Sequence, residues 1–343
     1  MSLKDPFVKK VILKRIVGLA VALVPISLLA TNSQAATSDT VNVVGYSIVA
    51  QAYTALETAF SHTAAGQGVT FANSFGASTT QAEDVVAGQA ADVVNFSLQP
   101  DLALLINAGL VSRKWQSTKT AKIVKGIVTD SVVAIVVKPG NPLGIHSWND
   151  LTNPGVKIVT PDPISSGSAR WNLLAAYESQ IDQGSTRAQA NTYINALIKN
   201  VVAEPSSGSR ALSAFIAGTG NVLLAYESDA LNAFVSGQRL QIVQPPQNLL
   251  IQNPAALTNT GTANPGAVAF YKFIFSRAGQ EIWLQQHFRP TIPSLAAQSK
   301  TTFYTPVTLN TITKLGGWTP VTTKFFGPTG IITKAENANG YTS

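Results

Sequence analysis

The sequence predicts an α/β chain folded as two lobes with largely parallel sheets. Apolar runs of about five residues alternate with longer segments of helical period, the pattern of strands crossed by helices. Behind a leader segment about 308 residues remain, a length that usually divides into two lobes. Four of the expected strand-to-helix junctions are rich in Gly and Ser, which places exposed backbone N–H groups at the carboxyl ends of strands, where open α/β sheets bind ligands.

Residues Val41 to Tyr46 read as a strand, Ala50 to His62 as a helix and Val69 to Ser74 as a second strand. Thr79 to Ala87 reads as a helix, Asp92 to Phe96 as a strand and Pro100 to Ala108 as a helix, which completes one βαβαβ unit. Val132 to Lys138 is a β-branched strand stopped by the turn Pro139-Gly-Asn-Pro142, and Lys157 to Thr160 is a short strand. Further helices are expected at Tyr193 to Lys199 and Leu212 to Ala217, and strands at Val201 to Ala203 and Asn221 to Ala225. Pro245-Pro246 and the polar stretch from Asn253 to Pro265 read as crossings or surface loops, followed by helices near Pro265 to Phe275 and Gly279 to Gln286.

Lys4, Lys9, Lys10, Lys14 and Arg15 precede an apolar run from Ile16 to Ala30 and the small-residue site Ser33-Gln-Ala35. Residues 1–35 therefore read as a cleavable secretory signal, the apolar run being shorter than the ~20 residues a membrane span needs. Five basic and one acidic side chain leave with it, which takes the formal charge from +7 to +3. That is mildly basic, with no basic stripe interleaved with aromatics, so nucleic acid is not an expected partner. The chain has no cysteine, which excludes disulfides, thiolate metal sites and a lipid-modified N-terminal Cys. The expected product is a soluble periplasmic monomer without a lipid anchor.

The junctions are Gly45-Tyr46-Ser47, Ser74-Phe-Gly-Ala-Ser78, Ser206-Ser-Gly-Ser209 and the longest, Pro161-Asp-Pro-Ile-Ser-Ser-Gly-Ser-Ala-Arg-Trp-Asn172. In the last, two prolines hold the lead-in extended, Ser165, Ser166 and Ser168 supply hydroxyls at cap positions, and Gly167 admits close approach. A helix follows at once, and its first N–H groups lack carbonyl partners at the positive end of the helix dipole. An oxyanion meets that need.

These residues, in this order, resemble the sulfate- and thiosulfate-binding proteins that deliver anions to ABC importers, over about Val41 to Pro290. The longest junction is similar to that family's Pro-Asn-Pro-Lys-Ser-Ser-Gly-Gly-Ala-Arg-Trp-Asn. Supporting matches are Ser74 to Ser78, Lys138-Pro-Gly-Asn-Pro142, Trp148-Asn-Asp-Leu-Thr-Asn-Pro-Gly155, Gly279-Gln-Glu-Ile282, Phe288-Arg-Pro290 and Gly316-Gly317-Trp318. The resemblance implies a type II periplasmic-binding-protein fold, with 37–125 plus 245–343 as lobe one, 126–244 as lobe two, and two crossings as the hinge. It implies a dianion held by neutral donors: the backbone N–H groups of Ser47, Ser78, Gly167, Ser168 and Gly208, and the hydroxyl of Ser166. Tyr226 stands where the family has an indole donor, Ser47 where it often has Asp, and Ser168 where it has Gly. An ABC permease is the implied partner.

Asp162 is expected to be solvated or to cap its turn, Arg170 to pair with an acid, and Trp148 and Trp171 to pack the lobes. Glu227 and Asp229 are expected to face solvent. His62, His146 and His287 are far apart in sequence with no metal-ligand spacing, and no Gly-x-Ser-x-Gly, Ser-x-x-Lys or His-Glu-x-x-His pattern occurs. No cofactor and no enzyme activity are expected, a Ser166 hydrolase lacking any nominated base. The alternatives kept open are a receptor for molybdate, tungstate or phosphate, and an exported sensor or adhesin.

Overall fold

In a computed structural model covering residues 40–117, 124–299 and 303–341, the strands assemble into two sheets. The secretory signal expected over residues 1–35 lies outside the described residues. The strands are β1 (Thr40–Tyr46), β2 (Thr70–Gly76), β3 (Val93–Asn95), β4 (Ile127–Ser131), β5 (Val133–Val137) and β6 (Ile158–Val159). Then follow β7 (Val201–Ala203), β8 (Val222–Tyr226), β9 (Gln241–Val243), β10 (Gln247–Leu257), β11 (Arg289–Pro290) and β12 (Thr308–Thr311).

The first sheet runs β2-β1-β3-β10-β4-β11, with β12 paired to the start of β10. β1 is parallel to both β2 and β3, in register Val43↔Val93, and β10 lies antiparallel to β3 and β4. The second sheet runs β7-β6-β8-β5-β9; β6 is parallel to its neighbours and β5 antiparallel to its own. Strand β5 is buried at all five positions and β1 buries Val41, Val43 and Val44, as strands covered on both faces by helices must be. An aromatic cluster of Tyr53, Phe60, Phe270 and Trp283 fills one face of the first sheet, the Tyr53 and Trp283 rings meeting edge to face at 5.5 Å.

Three sequence expectations are corrected here. Residues 127–131, assigned to lobe two, form β4 of the first sheet, so the chain crosses at Val132. Asn253 to Leu257, read as part of a loop, is the inner half of β10. Pro254 is tolerated there because the register shifts at Asn253/Pro254, while its carbonyl accepts from the Phe96 N–H and the Asn95 amide.

The third correction concerns the C-terminal segment, assigned to lobe one with two crossings. After β12 the chain passes onto the second lobe: Trp318 meets Trp171 at 4.7 Å, Phe325 meets Tyr177 at 4.8 Å, and the Tyr341 hydroxyl donates to the Val201 carbonyl at 2.6 Å. The cause lies in the helix Gly167–Asp182, thirteen of whose sixteen residues are buried. A helix without a solvent face must be covered all round, and the tail supplies the cover. The lobes are thus joined at Val132, at Gln244–Pro246 and again beyond Thr311.

Candidate functional site

The parallel strands of both sheets aim their carboxyl ends at one another. β1 leads into Ser47, β2 leads into the helix Ser78–Val86, and β3 leads through Ser97 to the helix Gln99–Asn107. From the second lobe, β6 feeds the helix Gly167–Asp182, β7 the helix Gly208–Ile216, and β8 ends at Tyr226. The order β2-β1-β3 is a topological switch point, the place where open α/β sheets leave a crevice.

Direct contacts between the two ends tie the candidate residues into one patch. The Ser209 N–H donates to Ser47 Oγ at 3.3 Å, the Thr79 N–H to the Ser165 carbonyl at 3.0 Å, and the Trp171 indole to the Ser97 carbonyl at 3.0 Å. Each bond joins one lobe to the other. A Cβ on Gly167 would lie 2.7 Å from Leu98 Cγ and 2.8 Å from Ser97 Cβ; one on Gly208 would lie 2.7 Å from Ile48 Cδ1 and 3.0 Å from Ser168 Oγ. Glycine stands at both helix starts because the opposite lobe occupies the space a side chain would need.

The helices that begin at Ser78, Gly167 and Gly208 therefore converge with their positive ends, and their first N–H groups have no acceptor within the helix. Ser166 and Ser168, both buried, share a hydrogen bond between hydroxyls at 2.9 Å, which commits one of the two protons and leaves the other to donate. The Ser78 hydroxyl is spent differently, donating to Asp101 Oδ2 at 2.6 Å and accepting from the Ser97 N–H at 2.9 Å. Ser78 can then offer an anion only its backbone N–H, as the family pattern implies. Tyr226 is fully buried and its hydroxyl pairs with Ser97 Oγ at 2.6 Å. Burial raises its phenol, so it stays neutral and keeps a proton to share.

Two residues of this patch escaped the sequence. Ser97 touches Tyr226, Ser78, Trp171 and the start of the Gly167 helix. Its junction, Asn95-Phe-Ser97, has no glycine and so carried no turn signal. Asp101 accepts from Ser78 and from Thr79 Oγ1, the latter at 2.9 Å. Burial pushes its carboxyl up to about 6, against the opposing pull of those hydroxyls and of Arg170.

Asp162 caps its own turn, accepting from the Ile164 N–H and the Ser165 hydroxyl at 2.8 Å each. Arg170, expected to pair with an acid, instead donates to the carbonyls of Pro163 at 2.7 Å and Ile164 at 3.3 Å, because the turn folds these back over the guanidinium. Trp148 and Trp171 pack in the core, and the Trp148 indole donates to the Gln247 carbonyl. Glu227 and Asp229, expected to face solvent, are buried. Glu227 is held by Arg289 at 2.7 Å, while burial alone raises Asp229 to about 7. Their exposure was misjudged because the first turn of the helix Glu227–Val235 faces the other lobe.

Residues 41–289 match the family described as bacterial extracellular solute-binding protein. The chain belongs to that family. It is 36% identical over 306 residues to the sulfate-binding protein of Synechococcus elongatus, covering 87% of each chain. It is 29% identical to the thiosulfate-binding protein of Pseudomonas aeruginosa over 242 residues, 68% of this chain and 72% of that one. Among solved structures it is similar to the sulfate-binding protein SubI from Mycobacterium tuberculosis, with a TM-score of 0.77 and 40% identity over 81% of this chain and 96% of that one. The two-lobed periplasmic-binding-protein fold expected from the sequence is the fold of this solute-binding chain.

Proposed function

We propose that this solute-binding protein is an exported receptor that captures sulfate or thiosulfate between its lobes and delivers it to an ABC importer. The observation that carries the reading is the convergence of three helix N-termini, from Ser78, Gly167 and Gly208, onto a patch of paired hydroxyls. Sulfate is fully ionised at neutral pH and only accepts hydrogen bonds, so neutral donors at positive helix ends match it without a counter-cation. The contacts assigned are the N–H groups of Ser47, Ser78, Gly167, Ser168 and Gly208 and the hydroxyls of Ser166 and Tyr226. The relatives named for sulfate and thiosulfate support the ligand class. Asp101, the buried acid in contact with Ser78, has both oxygens engaged by hydroxyls, which supports an anion without a proton of its own over phosphate.

Charge-assisted hydrogen bonds contribute roughly 1.5 to 3 kcal/mol each, and desolvation of the dianion offsets most of their sum. A dissociation constant near 1 μM, about −8 kcal/mol, follows as the expected scale. Calorimetric titration of the mature chain with sulfate, thiosulfate, molybdate, tungstate and phosphate tests the reading. Binding of sulfate or thiosulfate well ahead of the others supports it; heat from none of the five would overturn it.

A further inference from the structure

A second cleft, of about 630 Å³ and with none of the assigned anion contacts in its lining, lies between the turn Asp162–Ile164, the loop at Glu204 and the tail helix Ile331–Ala338. It exists because the tail docks on the second lobe. Its walls are apolar and aromatic, with Ile164, Phe326, Ile332 and Tyr341 among them. Two carboxyls face each other in it. Glu336 is 6% exposed and its carboxyl meets that of Glu204 within hydrogen-bond reach; among the described residues no other donor reaches either Glu336 oxygen or Glu204 Oε1.

The other charged groups around the pair do not relieve it. Asp162 adds a third acid, its oxygens taken up by Ile164 and Ser165. Arg170 lines the cleft but is committed to the carbonyls of Pro163 and Ile164. The phenol of Tyr341 donates to Val201. Burial first, and mutual repulsion second, raises Glu204 strongly, and burial raises Glu336. The pair thus holds a proton near neutral pH, which a cation of better fit can displace. Among the described residues no group of three or more acids or histidines is placed to hold a metal ion, and the apolar walls favour an organic cation.

We propose that this cleft binds a small organic monocation, an ammonium group carried on an apolar body, with the ammonium seated between Glu204 and Glu336 and the body against Phe326 and Ile332. Binding releases the shared proton to solvent, so charge balances without a co-ligand. The cleft shares no lining residue with the anion contacts assigned above, and its test needs no anion.

Calorimetry of the mature chain with benzylamine, and with benzyl alcohol as the neutral isostere, reads the proposal directly. Saturable binding of benzylamine is expected, with an apparent heat that changes between buffers of different ionisation enthalpy, and none of the alcohol. Glu336→Gln should weaken benzylamine at least ten-fold. That variant is judged only if folded, so circular-dichroism melting accompanies it, and Glu204→Gln provides a second variant with the same expected loss. No saturable binding of benzylamine by the folded wild type, equal binding of the alcohol, or full affinity in either folded variant overturns the proposal.

Discussion

Glu227 of the second lobe and Arg289 of the first form a two-pronged ion pair, Nε to Oε2 at 2.7 Å and Nη2 to Oε1 at 3.0 Å, with the carboxylate fully buried. The Glu227 N–H donates to the carbonyl of Val132, the residue at which the chain crosses between lobes. The pair therefore links the lobes beside the crossing at Val132.

Removing the cation leaves Glu227 buried and unpaired, and Asp130, which Arg289 also attracts, loses its nearest positive charge. Arg289→Met is expected to lower the unfolding free energy by about 3–5 kcal/mol, read from urea denaturation. A loss below about 1 kcal/mol would show that water already screens the pair.

Ser97 and Tyr226 share one buried hydrogen bond across the lobes. Ser97→Ala and Tyr226→Phe should each weaken sulfate binding, and the double variant should lose less than the two losses added, with a coupling of about 0.5–3 kcal/mol. Calorimetry on the four proteins checks this. Strict additivity would mean that the two hydroxyls do not act as a unit at the anion.

Gly167→Ala places a methyl 2.7 Å from Leu98 Cγ and 2.8 Å from Ser97 Cβ, the latter fixed to the opposite backbone whatever rotamer Ser97 adopts. Gly208→Ala meets the tip of Ile48, which can rotate. The first variant should hold the lobes apart, enlarging the radius of gyration in solution scattering and cutting sulfate affinity more than the second does. The reverse order would overturn this account of closure.

Asp229 is buried with Oδ2 unpartnered, and burial raises it to about 7 from an ordinary value near 3.9. Between those values the folded chain binds the proton and the unfolded chain does not, so unfolding releases it and stability falls as pH rises. This contribution is fully present below about pH 4 and is lost by about pH 7. Glu178, also near 7, adds to the same slope. Asp229→Asn should flatten the decline in unfolding free energy between about pH 4 and about pH 7, measured by urea titration at each pH; an unchanged slope would assign the decline to other groups.

Most strands and helices that carry the patch were legible in the sequence, because β-branched runs and helical periods are local signals. The helix Pro265–Phe275 begins at its proline and ends where the apolar period stops. β10 was half missed for the opposite reason: Asn253-Pro254 looks like a breaker until a bulge and two donors, from Asn95 and Phe96, accommodate it. Ser97 was missed because its importance lies in what it touches across the cleft, and nothing within its own segment marks it.

By itself, the sequence determined that helices would start on Gly and Ser at strand ends, that the donors there would be neutral, and that no thiol chemistry was available. These follow from residue type and spacing, which the chain carries along its length. The tertiary structure alone decided which starts meet, that Ser78 spends its hydroxyl on Asp101 while Tyr226 shares one with Ser97, and that the tail covers the second lobe to build the Glu204–Glu336 cleft. Those outcomes depend on distances between residues far apart in the chain, set by which buried faces need covering, and local pattern carries no record of them.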